Sequence, residues 1–199
     1  MTTDTRNDLV SRLDVMEQMV QEGRKSTQFY GWMFVLWGVG YVLAIGWVYL
    51  LPKPMLAWPV VMTLTALVGG VIAAKKRRGQ ALNSRSRAVW ATWVATGSAI
   101  FVFAFGSGTS THGWSNPQAM MAGIEVLLGL ANVSSSLVLR WRVQMVVGLV
   151  WWVCGTASFY VSAEGLLPVL LAGTLICNFG FGLYLMYLEA QAARQVVHV

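Results

Sequence analysis

Glu125 is the residue whose position most suggests chemistry, because it is the only acid or base well inside a long apolar run of this sequence. Removing a carboxyl group from water favours its neutral, protonated form, and no apolar run supplies a Lys or Arg to pair with it. An ionisable residue in such a run marks either a path for protons, ions or solutes, or a contact between helices. Both interpretations remain open for Glu125.

Small and polar residues share a helical face with this acid. Gly129, Asn132 and Ser136 follow Glu125 after four, seven and eleven residues, which places them on one side of a helix. The pattern predicts that this helix is central, where its stripe either lines a path or bonds neighbouring helices. Asn178, near the middle of the last apolar run, is a further candidate for the same intramembrane polar site.

No other residue pattern points to catalysis, a cofactor or a metal. The sequence has no paired carboxylates, no Ser/His/Asp set and no phosphate-binding glycine loop with a Lys. The only cysteines are Cys154 and Cys177, and the only histidines are His112 and His198, without metal-ligand spacing. We therefore predict that the protein is not an enzyme and carries neither cofactor nor metal.

The composition indicates which solvent surrounds these residues. Of the 199 residues, 56% are hydrophobic and 11% are charged, whereas a soluble domain has roughly 25% charged residues. Runs of about 20 apolar residues cover the bilayer core as helices. We predict an all-α, multi-pass membrane protein whose six spans form three hairpins, at about 29–51, 55–74, 88–106, 119–139, 143–161 and 167–188.

Positive charge predicts the orientation. The sequence has 14 Lys and Arg residues, and all except Lys53 lie in the N-terminal segment, the C-terminal tail and alternate loops. Cytoplasmic loops hold the positive excess, so we predict that both termini are cytoplasmic and that the protein lies in the inner (cell) membrane. We interpret the net charge of +6 as a determinant of topology and as a means of binding anionic headgroups. We therefore expect no nucleic-acid partner. The candidate anionic-lipid contacts are Lys75, Lys76, Arg77, Arg78, Arg140 and Arg142.

The predicted domains are a cytoplasmic N-terminal segment, 1–28, the membrane domain, 29–188, and a short cytoplasmic tail, 189–199. The N-terminal segment has an amphipathic helical pattern, with an apolar face formed by Leu9, Leu13, Met16 and Val20. Such a helix lies on the membrane or the cytoplasmic loops, or it docks onto a membrane-protein partner or a second copy of the chain.

A short motif recurs in two of the predicted spans. Gly97-Ser98-Ala99 is followed by Phe101, and Gly155-Thr156-Ala157 is followed by Phe159. This resemblance fits related hairpins, although apolar helices share a biased composition and chance produces similar matches. Together the patterns predict a non-enzymatic membrane subunit, sensor or accessory protein; the alternative is a small transporter or channel for an ion or solute, proton-linked through Glu125.

Overall fold

A computed structural model describes residues 31–53, 56–76, 84–109 and 116–197, together with the separate positions 12, 13, 15 and 18. Within these ranges the chain forms six helices. They are α1 (Gly31–Leu50), α2 (Ala57–Lys76), α3 (Ser84–Thr109), α4 (Pro117–Leu139), α5 (Arg142–Ser158) and α6, which is α-helical over Leu166–Gly173, π-helical over Thr174–Gly180 and α-helical again over Phe181–Val197.

The all-helical prediction is confirmed for the described residues, among which five helices are long and apolar enough to cross a membrane. The fifth predicted run, 143–161, differs in length. Its helix, α5, has 17 residues and ends at Ser158, which gives a length of about 25 Å against a bilayer core of about 30 Å. Residues 159–162 form a turn before the 3-10 turn Ala163–Gly165 leads into α6.

Local sequence explains both ends of α4. The Asn116 side chain accepts a hydrogen bond from the Ala119 amide at 2.9 Å, and Pro117 occupies the first turn, where its missing N–H costs nothing. At the other end, Arg140 is left-handed with φ 49°. The Trp141 amide donates to the Ser136 carbonyl at 2.9 Å, so the helix closes in a Schellman-type turn. This tight turn sends α5 back along α4.

The packing order of the helices differs from a simple row of three hairpins. Helices α1 and α2, α3 and α4, and α5 and α6 do pack as the predicted pairs, but α4 and α5 form the most extensive contact of all, and α1 packs along α6. The core lies between α1, α4, α5 and α6. Its buried members are Tyr41, Ile45, Met121, Val147, Trp151, Leu166, Leu170, Cys177, Phe181 and Leu185.

Helices α4 and α5 approach closely at a pair of glycines. A Cβ added at Gly148 would lie 2.9 Å from the Val133 amide nitrogen and 3.0 Å from the Gly129 carbonyl oxygen. Only a residue without a side chain fits so close to a neighbouring backbone. The two glycines therefore set the separation of these helices.

Aromatic rings connect four parts of the bundle near the end at which α1 begins. Phe34 of α1 makes edge contacts with Trp93 of α3 and Phe181 of α6, at centroid distances of 5.4 and 5.1 Å. Phe181 in turn lies 5.9 Å from the ring of Trp141, at the α4–α5 turn. We call these four residues the aromatic chain.

The outer surface of the bundle is apolar. Large side chains such as Leu43, Leu67, Phe101 and Val153 are more than half exposed. A surface of this kind matches lipid rather than water.

Most of the predicted N-terminal amphipathic helix lies outside the described residues. Four of its positions, Arg12, Leu13, Val15 and Gln18, are helical and exposed, with Leu13 at 60% exposure. The prediction that its apolar face docks onto a membrane, a loop or a partner stays a prediction.

Candidate functional site

Glu125 lies inside the bundle and is fully enclosed, with an exposed fraction of 0%. The Ser158 hydroxyl, at the end of α5, donates to Glu125 Oε2 at 2.6 Å. The other carboxyl oxygen, Oε1, is buried without a hydrogen-bond partner among the described residues. The carboxyl group therefore links α4 to α5 through one oxygen, and its other oxygen can accept a further hydrogen bond.

Neighbouring helices add further polar groups around this carboxyl. Tyr41 of α1 and Cys154 of α5 lie within electrostatic range of Glu125. Gly155 brings the α5 backbone close, since a Cβ added there would lie 3.5 Å from Glu125 Cβ. Glu125 and Ser158 lie toward the end of the bundle at which α4 begins and α5 ends.

The structure buries the other residues of the predicted α4 stripe, but it does not bond them to Glu125. The Asn132 amide nitrogen donates to the Leu128 carbonyl of its own helix at 2.9 Å. Likewise the Ser136 hydroxyl donates to the Val133 carbonyl at 2.8 Å and lies 3.5 Å from the Met145 sulfur of α5. Seven residues separate Asn132 from Glu125, which amounts to about 10 Å along the helix axis.

Asn178 is buried on a different helix, within the π-helical segment of α6. A Cβ added at Gly38 of α1 would lie 3.1 Å from Asn178 Cβ, so this residue packs toward α1. Its amide nitrogen has no hydrogen-bond partner among the described residues. Segments of π-helix recur at functional sites, but no hydrogen bond joins Asn178 to the described α4 stripe. Its membership of a site stays a prediction.

Several buried polar residues escaped the sequence analysis. Ser158, Gln144 and Thr174 are all 0% exposed. Ser158 occupies the variable position of the Gly155-Thr156-Ala157-x-Phe159 motif, so the motif did not identify it as a candidate. Gln144 and Ser158 belong to one buried stripe of α5, which also contains Gly148, Trp151 and Gly155. The helical spacing of these five residues is a sequence pattern that could have predicted the burial of Gln144 and Ser158.

Among the described residues, buried polar atoms without a hydrogen-bond partner concentrate on α4, α5 and α6. Besides Glu125 Oε1, they include Asn132 Oδ1, Ser135 Oγ, both amide atoms of Gln144, and Thr174 Oγ1. Each such atom costs about 1–3 kcal/mol if nothing satisfies it. Their number on three adjoining helices indicates a polar interior inside an apolar shell.

The predicted lipid-contact residues lie at helix ends. Lys75, Lys76, Arg140 and Arg142 are exposed, and the Lys76 ammonium lies 5.1 Å from the centroid of the Trp32 ring. Arg77 and Arg78 lie outside the described residues. Contact of these side chains with anionic headgroups stays a prediction.

Comparisons of the chain with protein-family models, curated proteins and solved structures give no match. The site must therefore be interpreted from its own geometry.

Proposed function

We propose that this chain is a non-enzymatic, multi-pass membrane subunit, sensor or accessory protein of the inner membrane. The observation that supports it most is the enclosure of Glu125, whose carboxyl group is held by Ser158 and is 0% exposed. A residue that lines an open ion or solute path must be reached by water. Enclosure favours a role in joining helices.

Six membrane crossings are part of this proposal. Although α5 is short, it runs antiparallel to α4 over nearly the whole length of α4. Met145 near the start of α5 lies beside Ser136, and Gly155 near its end lies beside Ala122. The exposed aromatic rings of Phe159 and Tyr160 follow α5 and suit a membrane–water interface. These contacts support a short helix that crosses beside α4.

The orientation can be tested by reporter fusions at single loop positions. We expect a reporter that is active only outside the cytoplasm to work after Lys53 and after Glu164, and to fail after Arg140 and after Arg194. The physical reason is that Lys and Arg residues concentrate on the side that holds Arg140 and Arg194, which we propose is cytoplasmic. Activity after Arg140 with inactivity after Glu164 would contradict the proposed topology.

The subunit role is tested by isolating the full chain from its native membrane in mild detergent. We expect a stable complex with a second membrane protein, and we expect Leu13→Glu to weaken it because a charge interrupts the apolar face of the N-terminal segment. Gln18→Glu is the matched control, since Gln18 is also exposed but lies outside that face. A lone monodisperse chain that transports a solute would refute the proposal.

Proton-linked transport is the second candidate, and one observation favours it. Glu125 Oε1 is buried and has no hydrogen-bond partner among the described residues. The test compares proton and solute fluxes in liposomes for the wild type, Glu125→Gln and the exposed control Glu164→Gln. This function predicts loss of flux in Glu125→Gln alone. Equal fluxes in all three proteins, or none, would exclude it.

A further inference from the structure

Helix α6 extends past the end of the bundle at which α1 begins. A Cβ added at Gly31, the first residue of α1, would lie 2.7 Å from Leu185 Cβ and 3.0 Å from the Met186 amide nitrogen of α6. From that level α6 continues as an uninterrupted α-helix to Val197, which is about 16 Å farther along its axis. The aromatic chain, which includes the α4–α5 turn, lies before this extension, at Phe181.

A helical extension of this length needs an apolar surface to pack against. Isolated helices shorter than about 12–15 residues are only marginally stable in water, and packing of an apolar face supplies most of their stability in proteins. The buried face of α6, with Phe181 and Leu185, is already occupied by the bundle. A contact that stabilises the extension must therefore use another face.

A second apolar face of α6 begins beside the bundle and continues along the extension. Leu183 and Met186 are 57% and 41% exposed, and Ala190 is exposed as well. In the sequence, Ala193 and Val197 continue the same alternation of three and four residues. This is the spacing of the contact positions in a coiled coil. We call these five residues the α6 seam.

Opposite charges flank the α6 seam. Glu189 directly precedes Ala190, and Arg194 directly follows position 193, so the two charges lie on opposite sides of the seam. In parallel coiled coils, charges at these flanking positions pair between the helices and set their register. In a two-fold symmetric pair, Glu189 of each copy faces Arg194 of the other copy. Two copies inserted in one membrane with the same orientation present their α6 helices in parallel, as this pairing requires.

The N-terminal segment of the same chain is the alternative occupant of this face, because it leads into α1 at the same end of the bundle. Leu13, on the predicted apolar face of that segment, is 60% exposed. Most of its surface is therefore not covered by α6 of its own chain. The matched charges of α6 favour a second copy of α6 as the occupant.

We propose that the α6 seam is a homodimer contact, in which the α6 helices of two copies of this chain pack in parallel. The apolar residues of the seam supply the contact area. Glu189 and Arg194 set the register and the orientation of the two helices. This contact does not involve the second membrane protein that the proposed function expects, so either proposal can fail without the other.

Cysteine crosslinking of the full chain in its native membrane tests the contact. Ala190→Cys places a thiol in the α6 seam, close enough to its counterpart in the second copy for a disulfide. Mild oxidation with copper phenanthroline should then give a covalent dimer on a denaturing gel. Wild type shows the background from Cys154 and Cys177, which stay in every variant.

Gln191→Cys is the matched control for this experiment. Gln191 is the next residue and is also exposed, but it lies about 100° around the helix from Ala190, so we expect at least about fivefold less dimer. Equal yields at the two positions, or no dimer from Ala190→Cys, would overturn the proposal.

A charge exchange tests the register. In the Ala190→Cys chain, Glu189→Arg or Arg194→Glu alone places like charges opposite each other and should lower the dimer yield at least about threefold. The two changes together restore opposite charges and should recover the yield. Recovery cannot come from a misfolded protein. A double variant that stays as low as the single variants would contradict the pairing of Glu189 with Arg194.

Two results would assign the α6 seam to another occupant and refute the homodimer. The first is an intrachain disulfide, without dimer, in a chain with both Leu13→Cys and Ala190→Cys, which would assign the seam to the N-terminal segment. The second is a crosslinked product of Ala190→Cys that contains a different protein in place of the second copy.

Discussion

The α4–α5 hairpin and helix α3 are both long apolar segments, but they have opposite surroundings. In α4, 44% of the apolar window is buried inside the bundle, whereas in α3 the share is 11%. The hairpin buries Glu125, Asn132 and Gln144, while α3 exposes residues such as Phe101 and Val102. Similar hydropathy therefore leads to two different surroundings: one pair of helices builds a polar interior, whereas α3 exposes an apolar surface that suits lipid.

The close glycine crossing should give the largest difference between these regions. Gly148→Ala places a Cβ against the Val133 and Gly129 backbones, so we expect a loss of about 3 kcal/mol in the free energy of unfolding. Gly97→Ala on α3 meets nothing within 4 Å and should change it by less than about 1 kcal/mol. Unfolding in mixed micelles by titration with a denaturing detergent measures both variants. Equal losses would remove the distinction between the two helices.

The bond between Ser158 and Glu125 should give the next largest effect. Ser158→Ala leaves a second buried carboxyl oxygen without a donor, and we expect a loss of about 2 kcal/mol. The control, Ser98→Ala, changes an exposed serine of α3 and should stay within about 0.5 kcal/mol of the wild type. The same micelle titration applies. A neutral Ser158→Ala would mean that this bond does not join the helices.

At the turn between α4 and α5, one substitution should raise the free energy of unfolding and a nearby one should lower it. Arg140 has φ 49°, a conformation that glycine adopts without strain, so Arg140→Gly should raise the free energy of unfolding by about 0.5–1 kcal/mol. Two residues later, Arg142 begins α5, and Arg142→Gly should lower it by up to about 1 kcal/mol. Thermal midpoints of the two purified variants compare them directly. A decrease in both would show that the arginine side chains outweigh the backbone effect.

The smallest effect is expected on the exposed apolar surface of α2. Leu67 is 60% exposed, so Leu67→Ala leaves no internal cavity and should cost less than about 0.5 kcal/mol. Leu170 is 1% exposed in the core, and Leu170→Ala should cost about 2 kcal/mol or more because the neighbouring side chains cannot fill the space. Thermal midpoints in the same lipid nanodiscs measure this pair. A larger loss at Leu67 would indicate that a protein surface, and not lipid, covers α2.

The sequence alone predicted the helical class and a position of Glu125 that faces the interior of the bundle. Continuous apolar runs allow only helices in lipid, and a lone acid must turn away from lipid. The spacing of Gly129, Asn132 and Ser136 predicted correctly that α4 is central, since these residues share one buried face. The predicted end of the fifth helix was wrong. The apolar run continues to residue 161, but the 17-residue helix α5 ends at Ser158, because apolar residues continue through the turn that follows.

Only the tertiary structure decided which polar groups meet. Ser158 lies 33 residues from Glu125, and nothing local in either segment specifies that pairing. It follows from the tight turn at Arg140 and the glycine crossing of Gly148 with Gly129, which fix the relative position of α4 and α5. Helical periodicity indicates which face of a helix turns inward, but the partner across that face depends on how neighbouring helices pack. The sequence therefore determined that Glu125 turns away from lipid, and the packing determined that it is enclosed and bonds Ser158.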